Sequence, residues 1–208
     1  MTEEVQVWVA SLAVSEDRYA QLAALVPREE SDHAASLHPI AARRYVVARG
    51  ILRNLLSGFT GTDPRRIRFN YGASGKPTLT ERDDIQFNLS HSADLGLFAF
   101  SPDRPVGVDV ENERPVRRLL DVAQRFMTED ELRTLADTPP DQRNSAFLRS
   151  WVVREARLKA EGKGVWAAIP GASSNHLTHK LFTPRPNYIA AVAAPASDWR
   201  LYMCAIKD

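Results

Sequence analysis

The chain has 208 residues, 44% hydrophobic and 25% charged, a composition that excludes intrinsic disorder and allows one large domain or two small ones packed together. Its formal net charge is only +1, so the molecule as a whole is no trap for nucleic acid or an anionic membrane, and any anion site has to be a local cluster. Cys204 is the sole cysteine, which excludes an intramolecular disulfide and a cysteine-based zinc site. The start, Met1-Thr2-Glu3-Glu4, is acidic where a secretory leader is basic, and the run from Val5 to Val14 is too short and interrupted to span a bilayer. A soluble, cytoplasmic protein is expected.

Val5, Val7 and Val9 alternate with Gln6, Trp8 and Ala10, which predicts an opening strand. Helical spacing follows over residues 16–26 and again over 40–56, the second stretch stopping at Gly58. Residues 67–71 read as a short strand, and Gly72-Ala73-Ser74-Gly75-Lys76-Pro77 is turn chemistry. Three extended runs, 85–90, 95–100 and 106–111, are separated by short turns that favour antiparallel neighbours. Residues 116–126 predict a helix, and Thr128-Glu129-Asp130-Glu131 is a capping-box pattern for another. A long helix is expected from about Gln142 to Glu161, ending at Gly162. Strands over 177–182, 188–194 and 199–206 complete the chain, and each half is then strand, helix and further strands, an α+β arrangement.

Chemistry concentrates in four places. In Val106-Gly107-Val108-Asp109-Val110-Glu111 the alternation turns the valines to a core and sets Asp109 and Glu111 together on the other face. Two strand steps put their Cα atoms about 6.7 Å apart, where like charges repel by roughly 2.5 kcal/mol at an effective dielectric of about 20. A divalent cation reverses that repulsion, and carboxylate oxygens suit Mg²⁺; taken alone, the hexapeptide reads more simply as a solvated strand face. On the long helix, Trp151, Glu155 and Lys159 fall on one stripe at successive four-residue steps. The pair is either a helix-stabilising Glu–Lys contact or a third oxygen ligand beside a phosphate-binding ammonium.

Phe87-Asn88-Leu89-Ser90-His91-Ser92 places two hydroxyls around a histidine at a strand end. These groups suit a phosphate, or equally satisfy a turn; no nucleophile elbow accompanies them, which disfavours hydrolase chemistry. Basic residues crowd the first half: Arg43, Arg44, Arg49, Arg53, Arg65, Arg66, Arg68 and Lys76. Most are expected on solvated faces, with one or two gripping a phosphate. No P-loop and no dinucleotide-binding glycine fingerprint is present.

Taken together, these motifs resemble the phosphopantetheinyl transferase superfamily, specifically its larger, surfactin-synthetase-activating type. The resemblance rests on Gly75-Lys76-Pro77, the segment Phe87 to Ser92, Gly107-Val108-Asp109-Val110-Glu111, and Trp151-Val152-Val153-Arg154-Glu155-Ala156-Arg157-Leu158-Lys159-Ala160, in matching order and spacing over about the middle half of the chain. It departs from the family at Arg154, where lysine is usual. It implies two similar α+β halves, residues 1–104 and 105–208, packed as a pseudo-dimer with antiparallel sheets and a long helix in each, and coenzyme A in the cleft between them. It further implies a working monomer that transfers 4'-phosphopantetheine from coenzyme A to a serine of an apo acyl or peptidyl carrier protein, releasing 3',5'-ADP. Asp109, Glu111 and Glu155 would bind Mg²⁺, Ser90, His91 and Lys159 would contact phosphates, and Arg44 and Lys76 would reach the adenosine end and 3'-phosphate. Glu155, directly or through a water, would act as base. A Mg²⁺-dependent phosphohydrolase of a nucleotide-like substrate, and a non-catalytic coenzyme A or carrier-binding module, remain the alternatives.

Overall fold

The opening alternation folds as β1 (Glu4–Ser11) in a computed structural model that describes residues 4–80, 82–164, 176–196 and 198–206; the acidic start, Met1–Glu3, lies outside them. Beside β1 runs β5 (Leu95–Ser101), antiparallel with Val7 opposite Ala99, and beyond β5 lies its hairpin partner β4 (Gln86–Ser92). The other side of β1 is taken by β9 (Arg200–Ala205), which pairs parallel and makes the order β4-β5-β1-β9. A second sheet, order β6-β8-β7, joins β6 (Gly107–Asn112), β8 (Tyr188–Pro195) and β7 (Leu177–Phe182), all antiparallel. A short hairpin, β2 (Phe69–Tyr71) with β3 (Pro77–Leu79), stands apart.

Among the described residues six α-helices pack around these sheets, and the fold is mixed α+β. α1 (Glu16–Ala23), α2 (Arg28–Ala35) and α3 (Pro39–Thr60) accompany the first sheet, and α4 (Leu119–Phe126), α5 (Glu129–Asp137) and α6 (Arg143–Ala160) the second. The capping box of α5 forms, with Thr128 accepting from the Glu131 amide and Glu131 accepting from the Thr128 amide. Among the described residues no helix is long and apolar enough to cross a membrane.

The strand alternation sorts side chains into three cores. Val5, Val7, Leu95 and Leu97 meet Val108, Val110, Ala190 and Val192 in a core between the two sheets. The outer face of the first sheet packs Phe87, Phe98 and Phe100 against Val47, Ile51 and Leu52 of α3. The outer face of the second packs Ile189, Ala191 and Ala193 against Phe147, Leu148, Val152 and Ala156 of α6. β8 is thus buried on both faces, which is why its sequence is a nearly unbroken apolar run.

Several elements differ from the sequence expectation. α3 continues through Gly58 and stops at Gly61, whose φ of 70° supplies the left-handed turn that ends the helix. The segment Arg28–Ala35, with no apolar periodicity, folds as α2 because its attachment is ionic: buried Glu30 pairs with Arg49 and Arg53 of α3. Those two arginines, expected on a solvated face, are 4% and 2% exposed. β6 follows β5 closely in sequence but ladders with β8, and β9 breaks the antiparallel rule against β1.

β6 still lies against the free edge of β4, and side chains bind the two where a backbone ladder is missing. Asn88 Oδ1 accepts from the Val108 amide at 2.9 Å, and Ser92 Oγ accepts from the Asn112 amide at 3.1 Å. On its other flank β6 is pressed by α6. A Cβ built on Gly107 would stand 2.0 Å from the Ala156 carbonyl oxygen and 2.3 Å from the Ala160 nitrogen, both backbone atoms of the helix. Only glycine permits this approach.

Gly107→Ala is therefore expected to cost about 3 kcal/mol or more, because neither backbone can yield without moving a core element; chemical denaturation at constant m value measures it. Asn88→Ala, which strands the buried Val108 amide, is expected to cost about 1–3 kcal/mol by the same measurement.

Candidate active site

The seam between β4 and β6 opens at one end into a cleft of about 650 Å³. Leu89, Ser90 and His91 of β4 line it. Ser90 Oγ donates to Asp109 Oδ1 at 2.8 Å, and Ser92 Oγ donates to Glu111 Oε2 at 2.8 Å. Lys159, from the last turn of α6, donates to Asp109 Oδ1 at 2.6 Å, to Ser90 Oγ at 3.0 Å and to the Val108 carbonyl at 3.3 Å. Helix and both sheet edges therefore meet at one ammonium. Ser90, His91, Asp109, Glu111 and Lys159, five of the sequence-predicted site residues, all line the cleft.

Glu155 lies one turn earlier on α6 and is buried, and its field reaches the same group. Burial first, and then the negative charge of Asp109, push its carboxyl up to about 7. Burial likewise raises Glu111, with Asp109 adding to the effect and the Ser92 hydroxyl opposing it. His91 is held below its ordinary value by the packing around its ring and by the positive charges of Lys159 and Arg44. The third member of the helical stripe, Trp151, instead stacks on Phe147 and meets Phe126 edge-on, fastening α4 to α6.

Three expected residues stand outside the cleft lining: Glu155, Arg44 and Lys76. Arg44 forks onto Asp94 in the β4–β5 turn, with contacts of 2.9 and 2.7 Å. The Lys76 ammonium is spent on backbone carbonyls, donating to Val106 at 3.0 Å and Lys159 at 2.7 Å, and desolvation lowers it to about 8. It ties the turn after β2 to the end of α6 and the start of β6.

The cleft also holds His33, Tyr45 and Tyr71, to which no motif pointed, together with Arg49 from the basic cluster of the first half. They come from three separate elements, α2, α3 and β2, which the fold brings together. Asn88 and Ser92 were legible, since they share the two-residue period of Ser90.

Among the described residues no three His, Cys, Asp or Glu side chains stand at metal-ligating spacing, and Lys159 is paired with Asp109. Yet Asp109 Oδ2 and Glu155 Oε1 are buried with no hydrogen-bond partner, a costly arrangement for two carboxylate oxygens. Hard oxygen donors of this kind suit Mg²⁺, and the donor set fits even though the oxygens are not gathered around one point.

The cleft between the two helix-backed sheets carries carboxylates, hydroxyls and an ammonium, groups that suit a phosphorylated ligand. Residues 105–202 match the family model of the 4'-phosphopantetheinyl transferase superfamily. The chain is 33% identical to the 4'-phosphopantetheinyl transferase HetI of a Nostoc species, over 96% of this chain and 91% of that protein. It is 31% identical to the transferase Sfp of Bacillus subtilis and 32% to psf-1 of Bacillus pumilus, over 62% and 61% of this chain and just over half of each of those proteins. The chain belongs to the 4'-phosphopantetheinyl transferase superfamily.

The raised Glu155 makes a thermodynamic signature. Its folded value of about 7 exceeds the ordinary 4.5, so between those pH values the folded state binds a proton that the unfolded state has lost. The contribution of Glu155 to stability in the presence of a chelator is expected to be fullest below pH 4.5 and to fall as pH rises to 7, by on the order of 3 kcal/mol, with Glu111 acting in the same direction and Glu30, whose carboxyl is lowered, in the opposite one. Thermal melts across that window read the slope, and Glu155→Gln is expected to flatten it.

Proposed function

We propose that this cleft transfers the 4'-phosphopantetheine arm of coenzyme A to the serine hydroxyl of an apo carrier protein, acyl or peptidyl, releasing 3',5'-ADP. The observation that carries the reading is the meeting of Ser90, Asp109 and Lys159 at the sheet seam, inside a chain of this family.

Asp109, Glu111 and Glu155 would hold Mg²⁺, whose chemistry there is to neutralise the pyrophosphate and favour charge development on the leaving nucleotide. Lys159 already touches one of those carboxylates and one hydroxyl, so the same flexible ammonium can turn to a phosphate oxygen. The Ser90 hydroxyl and the His91 ring supply further donors from the end of β4. Glu155 is suited to receive the proton of the attacking serine, because a carboxyl titrating near 7 is ionised often enough to accept it and basic enough to hold it. Arg44 contributes at long range, through the positive field it sets on His91, and Lys76 by fixing the end of α6.

The two helix-backed sheets are read as related halves, residues 1–104 and 105–208, that supply opposite walls of the cleft within one working monomer. Coenzyme A and carrier proteins meet in the cytoplasm, where the reaction belongs.

Intact-mass spectrometry of an apo carrier protein incubated with this chain, coenzyme A and Mg²⁺ tests the proposal. A mass gain of one phosphopantetheine is expected, lost on chelation and in Asp109→Ala. Glu155→Gln is expected to slow transfer by at least about a hundredfold while coenzyme A still binds. Absence of any gain across several carrier classes would overturn the reading.

A further inference from the structure

Tyr71 has an unusual setting. It sits on the three-residue strand β2 and leaves 56% of its surface exposed, so its ring adds little to any core. Its hydroxyl is nevertheless pinned by the Arg49 Nη2 at 2.9 Å. Arg49 is itself 4% exposed, lies over the Phe69 ring at 4.5 Å and is bonded to buried Glu30. Glu30 in turn receives Arg53 at 2.9 and 3.2 Å. Burial would raise the Glu30 carboxyl, but the two guanidiniums hold it below its ordinary value. Burying ions is not an efficient route to stability, and this network keeps an exposed aromatic ring in a fixed place.

That place is a junction. The cleft of about 650 Å³ and a neighbouring cavity of about 420 Å³ share three lining residues, His33, Tyr45 and Tyr71, all with flat rings. His33 and Tyr45 already meet edge-on at 5.1 Å. Arg49 faces the same cleft, and its Nε is buried without a hydrogen-bond partner. Two guanidiniums share one carboxylate, which leaves this end net positive, while the carboxylates Asp109 and Glu111 line the same cleft elsewhere. A ligand suited to both regions is a phosphoanhydride at one and a flat, electron-rich ring beside phosphate at the other. A flexible aliphatic arm gains nothing from stacked rings.

We propose that Tyr71, positioned by Arg49, is the stacking platform for the purine of the donor nucleotide. The inference rests on coenzyme A being the donor. Tyr71 then sets affinity for the nucleotide half and takes no part in the chemical step, so its loss raises KM for coenzyme A and leaves kcat in place.

Calorimetric titration with 3',5'-ADP, the nucleotide half alone, tests this on wild type, Tyr71→Ala, Tyr71→Phe and Tyr71→Trp. Wild type is expected to bind, and Tyr71→Ala to bind about tenfold or more weakly, the usual loss when an aromatic partner leaves a stacked base. Tyr71→Phe keeps the ring but frees it from Arg49, and its affinity is expected to fall between the two. Tyr71→Trp is expected to restore binding, with a fluorescence quench on addition of 3',5'-ADP that wild type lacks. In steady-state transfer, KM for coenzyme A is expected to rise in Tyr71→Ala while KM for the carrier stays put.

An unchanged 3',5'-ADP affinity in Tyr71→Ala would overturn the platform, as would a rise confined to the carrier KM. Wild-type affinity in Tyr71→Phe would overturn the positioning by Arg49 alone. A wild type that binds neither 3',5'-ADP nor coenzyme A would instead overturn the donor assignment, and the platform with it.

Discussion

Two strand edges, β4 and β6, lie side by side with side chains standing in for the backbone ladder, and the site follows from that substitution. Asn88, Ser90 and Ser92 repeat every second residue, so all three turn toward β6. Asparagine and serine can each satisfy a backbone amide or a carboxylate, whereas a main-chain ladder would leave no place for acidic side chains at the join. Asp109 and Glu111 are consequently held at a boundary between two packed sheets, shielded from water but reachable from one end. The carboxylate oxygens left without partners there are a cost the fold carries for the chemistry.

α6 completes the arrangement from the other flank. Its contact with Gly107 sets the helix directly on β6, and its final turn then delivers Lys159 to Asp109. Lys76, by bonding the carbonyls of Val106 and Lys159, locks the same helix end to the start of the same strand. Glu155 and Lys159 are neighbours on one helix in different settings: the first is kept weakly acidic by burial, the second is bonded to Asp109 and Ser90. The basic residues of the first half divide similarly, Arg49 and Arg53 inward to hold α2, and Arg44 outward to the β4–β5 turn.

What could be read from the sequence was local and periodic. The alternation around Asp109 and the capping box at Thr128 needed only neighbouring residues, and the structure reproduces both. α2 escaped notice because polar residues buried by ion pairs leave no apolar rhythm. The end of α3 was placed too early because Gly58 resembles a stop, although the left-handed residue that ends the helix is Gly61. Strand partners were harder still: the short turn between β5 and β6 suggested a hairpin, and the core between the sheets drew β6 to β8 instead. The aromatic end of the cleft, built from three separate segments, has no signature in any of them.

The parallel pairing of β1 with β9 carries a consequence for how the chain is made. Glu4 lies opposite Arg200, so β1 is synthesised long before its second neighbour, β9, exists. Until then β1, with Val5 and Val7 facing a core half-built, offers an unpaired edge to other nascent chains. Contacts this distant in sequence close slowly, and their delay is the interval in which a chaperone has something to protect.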